Sequence, residues 1–188
     1  MELGPQDVVV VLKLVASGFN PWSYAGLGKE LAMSASQVFA SVARAEGAHL
    51  LNAFNIASSP ARKGRGVLPE PNRSNLKEFL VHGVKYAFPV ERGGPTRGMP
   101  TAEAAPPLSE QFPEPFPLPP VWPFPQGNVR GIEFSPLYRN VPQAALRDQK
   151  LYELLALVDA IREGRARERE VAIRELVARI DSVGAGSP

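Results

Sequence analysis

The chain has 188 residues, enough for one sizeable domain or two small ones, and its 44% hydrophobic and 21% charged residues are typical of a folded protein. It contains no cysteine, which excludes disulfides and thiolate metal sites and fits a reducing cytoplasm. The formal net charge is +2, but residues 1–90 carry nine basic against six acidic side chains, a balance that permits a polyanionic partner.

The first predicted element is a helix over about Pro5–Ser17. Pro5 suits a first helical turn, Gly18 suits a helix end, and apolar residues recur at helical spacing between Val8 and Val15. The run of four valines taken alone fits a buried strand equally well.

Two shorter helices are predicted next, each opened by a capping serine. Ser23 can cap a helix whose apolar positions follow the 3.6-residue period. Ser34 can cap a third helix, and Gln37 lies three residues further on, as a capping box requires. Gly47 ends this helix, and Leu50–Leu51 begins another apolar segment.

Residues 23–51 combine these signals without a gap. Leu27 and Leu31 lie four residues apart, Met33 closes a short turn, and Ser34 opens the following helix. This pattern resembles that of winged helix-turn-helix transcriptional regulators such as the MarR-like group. The resemblance implies that the third helix is a recognition helix and that Leu50–Leu51 starts the strand leading to a wing.

The outward face of the third helix supplies the candidate DNA contacts. With Val38 and Val42 inward, 100° per residue turns small and polar side chains outward. Gln37 can contact adenine in a bidentate manner, small residues allow close approach to the groove, and arginine suits phosphate or guanine. Free amides at the helix start can meet phosphate. The predicted contacts are Ser34, Ser36, Gln37, Ala40 and Arg44, with Ala43 beside them.

A basic loop follows the motif. Arg62, Lys63 and Arg65 alternate with glycines, which suits a flexible wing tip that reaches phosphate or a minor groove. A solvated loop without a partner is the alternative interpretation, and the distance from Leu51 is long for a simple wing.

Downstream, we predict a helix over about Asn75–Tyr86, capped by Asn72 or Ser74. Twelve of the twenty prolines then lie between Pro89 and Pro125, so this stretch is predicted to be poor in regular structure. Residues 129–138 alternate loosely and suggest one strand.

The proline-rich segment 113–125 has two interpretations. It could act as a polyproline II ligand for an aromatic groove. Because it also contains Phe116, Val121, Trp122 and Phe124, we favour a segment that packs across the body of the protein.

The C-terminal part is predicted to be a helical hairpin. Asn140 and Pro142 start its first helix, Gly164 ends that helix, and residues 165–180 form the second. Each helix has one apolar stripe: Leu151, Leu154, Leu155, Val158 and Ile161 in the first, and Ile173, Leu176, Val177 and Ile180 in the second.

Several other functions lack support in the sequence. The segment 92–101 is rich in glycine but lacks the ending of a phosphate-binding loop, and no nucleophile elbow is present. His49 and His82 lie too far apart for a ligand pair. The apolar run at residues 8–12 is too short for a membrane span, and the first residues lack a signal-peptide start. We expect no enzymatic activity, cofactor, metal or membrane partner.

The expected fold is mainly α with a small β component. It comprises a winged helix-turn-helix domain at 1–88, a proline-rich irregular connection at 89–139 and a helical hairpin at 140–188. The expected function is sequence-specific binding of double-stranded DNA by a cytoplasmic, homodimeric transcriptional regulator. An antitoxin, which also binds a cognate toxin protein, would fit, because residues 82–108 resemble segments of bacterial regulators encoded beside toxins. The alternative is an interaction adaptor that uses its proline-rich segment and C-terminal helices.

Overall fold

The computed structural model describes residues 2–18, 20–52, 69–112 and 117–182, and these are mainly helical with a small amount of strand. The helices are α1 (Pro5–Ser17), α2 (Tyr24–Leu31), α3 (Ala35–Gly47), α4 (Arg73–Glu78), α5 (Val84–Ala87), α6 (Leu108–Gln111), α7 (Val141–Arg147), α8 (Gln149–Glu163) and α9 (Ala166–Ser182). The strands are β1 (Leu51–Asn52), β2 (Glu70–Pro71), β3 (Arg92–Pro100), β4 (Pro120–Pro123) and β5 (Val129–Phe134).

The capping signals near the N-terminus are confirmed. Helix α1 has its predicted bounds, and the Ser23 hydroxyl accepts the Gly26 amide at 3.0 Å to cap α2. At the start of α3, the Ser34 hydroxyl accepts the Gln37 amide at 3.2 Å and the Gln37 side chain accepts the Ser34 amide at 2.9 Å. These reciprocal bonds satisfy two donors that a helix start leaves unpaired.

Strands β1 and β2 form a two-stranded antiparallel pair directly after α3. Leu51 lies opposite Pro71 and Asn52 lies opposite Glu70, and the Asn72 amide donates to the Leu50 carbonyl at 2.9 Å. Asn72 then caps the next helix by accepting the Asn75 amide at 3.2 Å. That helix runs from α4 through a π-helical turn, Phe79–Gly83, into α5, close to the predicted range.

The proline-rich stretch contains two strands, so the prediction of an irregular connection is corrected. Strand β3 pairs antiparallel with both β4 and β5, while β4 and β5 pair in parallel, so the three strands close on one another. Such close packing needs glycine, since a Cβ on Gly98 would collide with the Trp122 carbonyl and one on Gly131 with the Pro119 carbonyl. The glycine-rich segment 92–101 therefore belongs largely to a strand rather than a phosphate-binding loop.

The first helix of the predicted C-terminal hairpin is interrupted. Asp148 adopts an extended conformation between α7 and α8, and its carboxylate caps α8 by accepting the Leu151 amide at 3.1 Å. Gly164 ends α8 as predicted. From Leu151 to Arg162 every side chain of α8 except Glu153 is buried. Helix α8 is therefore a core helix, packed against α1, α5, α7 and α9.

The buried core is continuous from α1 to α9. It includes Val8 to Leu12, the inward residues of α2 and α3, all of the apolar stripe of α8, and Leu176 and Ile180 of α9. The three segments expected from sequence therefore share one core, because α1 contacts α3 on one side and α8 on another.

A buried carboxylate on α8 forms hydrogen bonds with residues in and beside the three-stranded sheet. Asp159 accepts hydrogen bonds from the Thr101 hydroxyl at 2.8 Å, the Trp122 indole at 2.6 Å and the Arg162 guanidinium at 2.7 Å. Burial raises the pKa of Asp159, while Arg162 and the other donors oppose that rise. Indole and guanidinium groups only donate, so they require acceptor oxygens on this side chain. Trp122 thus packs against the body of the protein, as favoured from sequence.

Arg162 extends this network to the loops on either side of the sheet. Its guanidinium donates to the carbonyl oxygens of Phe88 at 2.8 Å, Pro89 at 3.2 Å and Ser135 at 3.1 Å. Both charges of the Asp159–Arg162 pair are almost completely buried. Removing one partner would leave the other charged and desolvated, which is strongly destabilising.

We predict that Asp159→Asn lowers the free energy of unfolding by about 3–5 kcal/mol, because it leaves the buried Arg162 guanidinium without its carboxylate partner. Glu163→Gln is the matched control, since Glu163 forms an exposed ion pair with Arg92 at 2.7 Å. The control is expected to cost less than about 1 kcal/mol. Equilibrium urea unfolding of both variants measures the difference, and equal effects would contradict the importance of the buried pair.

Candidate nucleic-acid interface

The turn between α2 and α3 is tight and depends on a glycine. Ala32 adopts a left-handed conformation with φ of 53°, and the Met33 amide donates to the Gly28 carbonyl at 2.8 Å. A Cβ on Gly28 would lie 2.6 Å from the Met33 carbonyl oxygen, closer than real contacts allow. Gly28 therefore lets the turn pack directly onto α2, which braces the start of α3.

The outward and inward sides of α3 match the sequence prediction in most positions. Val38 and Val42 are buried, and Ser36 and Gln37 are exposed. Ala40 and Ala43, which were also predicted to face outward, are partly exposed. From Ser34 to Ala45 the segment contains no acidic residue. Apart from Phe39, the side chains on the exposed side of α3 are thus small or neutral, and its first three turns carry no negative charge.

Arg44 corrects the predicted set of contacts, because its side chain turns toward α1. It donates to both carboxylate oxygens of Asp7, at 2.8 and 2.7 Å, and to the Ser41 hydroxyl at 3.3 Å. Asp7 is fully buried and also accepts the Gly4 amide at 2.7 Å. The hydrogen bond with Asp7 raises the pKa of Arg44. Arg44 is therefore the counter-charge of a buried carboxylate.

The predicted role of Gln37 also changes. Its amide oxygen accepts the Ser34 amide at 2.9 Å, and its amide nitrogen donates to the Tyr138 hydroxyl at 3.5 Å. A bidentate contact to adenine needs both ends of the amide. Gln37 can offer both ends only by giving up the capping box and the Tyr138 contact.

Sequence reasoning missed Phe39, the largest side chain on the exposed side of α3. Phe39 is 59% exposed, and its ring meets the Tyr24 ring in an edge contact at 5.3 Å. Tyr24 in turn meets Trp22 at 5.3 Å. Helical periodicity is the sequence signal that could have found this exposed ring. Phe39 lies 100° around the helix from the inward Val38, on the side opposite Arg44.

Three cations lie beside the α2–α3 turn, and two of them come from far along the chain. Lys29 is on α2, and the Arg147 guanidinium donates to its carbonyl oxygen. The Asn140 side chain donates to the Ala32 carbonyl at 2.5 Å, which places the neighbouring Arg139 near the turn. Within the described ranges, none of these three side chains forms an ion pair with a carboxylate.

Lys13 links α1 to α2 and to the start of α8. It is buried, forms an ion pair with Asp148 at 2.6 Å and also pairs with Glu30 of α2. Burial lowers the pKa of Lys13, but the two carboxylates outweigh that effect and raise it. Burial likewise opposes ionisation of Asp148, yet hydrogen bonds from Lys13 and the Leu151 amide lower its pKa overall.

The predicted wing residues Arg62, Lys63 and Arg65 lie outside the described residues. The strands on either side of them, β1 and β2, are paired. His49, just before β1, has φ of 58°, and its carbonyl oxygen accepts the Asn75 side chain at 3.0 Å. The contact that His49 makes here is thus through its backbone.

The described part of the chain contains no group of three or more histidine, aspartate or glutamate side chains arranged to bind a metal ion. Among the same residues, no helix combines the length and apolar character needed to cross a bilayer. Comparison with protein-family models, curated proteins and solved structures finds no match to this chain.

Because of the Lys13–Asp148 pair, the free energy of unfolding is expected to depend on pH in the acid range. Since folding lowers the pKa of Asp148, its contribution is present above the unfolded-state pKa of about 3.9 and is lost as pH falls through the folded value. We predict that Asp148→Asn costs about 1.5–3 kcal/mol at pH 7, and less below about pH 4.

Urea unfolding at pH 7, 5, 4 and 3 measures this dependence. Asp181→Asn is the control, since Asp181 forms a surface ion pair with Lys77 at 2.6 Å and is about half exposed. Its effect is expected to stay below about 1 kcal/mol throughout. A cost of Asp148→Asn that did not change between pH 7 and pH 3 would disprove the assignment.

Proposed function

We propose that this chain is a sequence-specific DNA-binding transcriptional regulator whose recognition helix is α3. The observation that carries the proposal is a braced helix-turn-helix, α2 and α3, in which the outer face of α3 has no acidic residue over its first three turns and, apart from Phe39, only small side chains and Gln37. The order of α1, α2, α3, β1 and β2 supports the proposal of a winged helix-turn-helix. In this proposal β1 and β2 are the base of the wing.

The surface of α3 supports insertion into a major groove. B-DNA has a major groove about 12 Å wide that admits one helix, provided that the helix can approach closely. Ser36, Ala40 and Ala43 add little volume on the outer side of α3 and allow that approach. The rest of α3 is held by its buried valines and by the Asp7–Arg44 pair.

The charge around the turn supports a polyanionic partner. Lys29, Arg139 and Arg147 are exposed near the N-terminal end of α3 and can contact phosphates on either side of the groove. Arg62, Lys63 and Arg65 follow β1 in the chain, and we retain them as proposed phosphate contacts at the wing tip.

The regulator is proposed to act as a homodimer in the cytoplasm, without a cofactor. Two recognition helices about one DNA turn apart, roughly 34 Å, match a near-palindromic site. The specific role that we propose from the sequence is that of an antitoxin in a toxin–antitoxin pair, which controls its own promoter. The adaptor alternative is less favoured, because Val121 and Trp122 of the proline-rich segment are buried in β4.

We predict that Ala40→Glu weakens specific DNA binding at least tenfold, because it places a negative charge and a larger side chain on the face that enters the groove between the phosphate backbones. Ala178→Glu is the matched control, since Ala178 is exposed on α9 and the change adds the same charge to a helix. Duplexes selected from a random-sequence pool by the full chain supply the DNA site, and fluorescence anisotropy measures affinity.

The comparison between the two variants decides the result. The control is expected to bind within about twofold of the unmodified chain, since a single surface charge far from phosphate is screened. Equal affinities for Ala40→Glu and Ala178→Glu would show that α3 does not meet DNA. A random pool that yields no enriched sequence would contradict the proposed function itself.

A further inference from the structure

Phe39 is the side chain of α3 best placed to read DNA sequence. Its ring is 59% exposed, and it lies midway along the outer face of the helix. Its helical neighbours three residues before and four residues after are Ser36 and Ala43, both small. No other outward side chain on α3 matches the apolar surface of this ring.

The ring is held in place by other aromatic side chains. Tyr24 meets it edge-on at 5.3 Å with an interplanar angle of 67°, and Trp22 meets Tyr24 at 5.3 Å and 87°. Aromatic pairs of this geometry contribute beyond the area they bury. The exposed ring therefore has restricted freedom before any partner binds, which reduces the entropic cost of binding.

Arg44 and Gln37, the two long hydrogen-bonding side chains among the predicted contacts on α3, have partners within the protein. Arg44 is bound to Asp7, and both ends of the Gln37 amide are engaged within the protein. The Phe39 ring is thus the large group that α3 has left for a groove, with the small side chains of Ser36, Ala40 and Ala43 on the same side of the helix. In the major groove the thymine methyl is the apolar group of the base edges, and alanine and phenylalanine are side chains that contact it.

We propose that Phe39 is a specificity-determining residue that packs against thymine methyl groups in the major groove, an inference that rests on the proposed DNA-binding function. The cations near the turn, Lys29, Arg139 and Arg147, favour a nucleic acid over an apolar protein face as the occupant. The ligand is therefore double-stranded DNA with thymine at positions that meet the middle of α3.

The test uses the full chain and duplexes enriched from a random-sequence pool. Each thymine of the enriched site is replaced in turn by deoxyuridine, which removes only the methyl group. Removal of the contacted methyl is expected to weaken binding about fourfold. In Phe39→Ala the same replacement is expected to have no effect, since the ring that met the methyl is gone.

Tyr86→Ala is the matched control, because Tyr86 is another exposed aromatic side chain, 76% exposed on α5. This variant should keep the full sensitivity to deoxyuridine. Circular dichroism and thermal melting of all variants show whether each one folds, and Phe39→Leu supplies a second variant that keeps an apolar side chain and is expected to retain part of the effect.

Three results would overturn the inference. The first is specific binding that is equally insensitive to deoxyuridine in the unmodified chain and in Phe39→Ala, which would leave the proposed function standing. The second is sedimentation showing that Phe39→Ala converts a dimer into a monomer, which would assign the ring to a protein interface. The third is the absence of any enriched duplex, which would remove the proposed function as well.

Discussion

The direction in which α3 faces is set by the ion pair between Asp7 and Arg44. Asp7 is fully buried on α1, and both of its carboxylate oxygens accept hydrogen bonds from Arg44 of α3. Turning α3 about its axis by one residue, about 100°, would separate the pair and leave a buried charge uncompensated, which costs several kcal/mol. The outer side with Ser36, Phe39 and Ala40 is therefore fixed before any ligand arrives. A preformed, rigid face lowers the cost of ordering that binding otherwise incurs.

Two further ion pairs connect α1 and α8 to the rest of the molecule. Lys13 binds α1 to Asp148, and that carboxylate also caps α8. Further along α8, Asp159 and Arg162 hold the three-stranded sheet and the loops beside it. Because these pairs lie on two adjoining helices of one apolar core, the helix-turn-helix and the C-terminal helices are expected to unfold together. The proline-rich segment accordingly acts as part of the scaffold.

Local signals in the sequence predicted local structure, and the errors involve partners that are distant in the chain. The Ser34–Gln37 box predicted the start of α3, since capping depends on residues three apart. Helical periodicity alone places Arg44 on the outer face, and it cannot reveal a partner that lies 37 residues away in the chain. The strands of the proline-rich region were missed because they depend on pairing across the sheet and on Gly98 allowing two backbones to meet. An exposed Phe39 also contradicts the usual placement of aromatic rings in the core.

We propose that α3 is the part of this chain that enters DNA. Titration of the uniformly ¹⁵N-labelled full chain with a duplex enriched from a random pool measures this residue by residue through amide chemical shifts. We expect the largest changes at residues 34–43 and at Lys29, with the amides of β3 and α9 unchanged. Changes confined to the three-stranded sheet or to α9, with residues 34–43 unaffected, would contradict it.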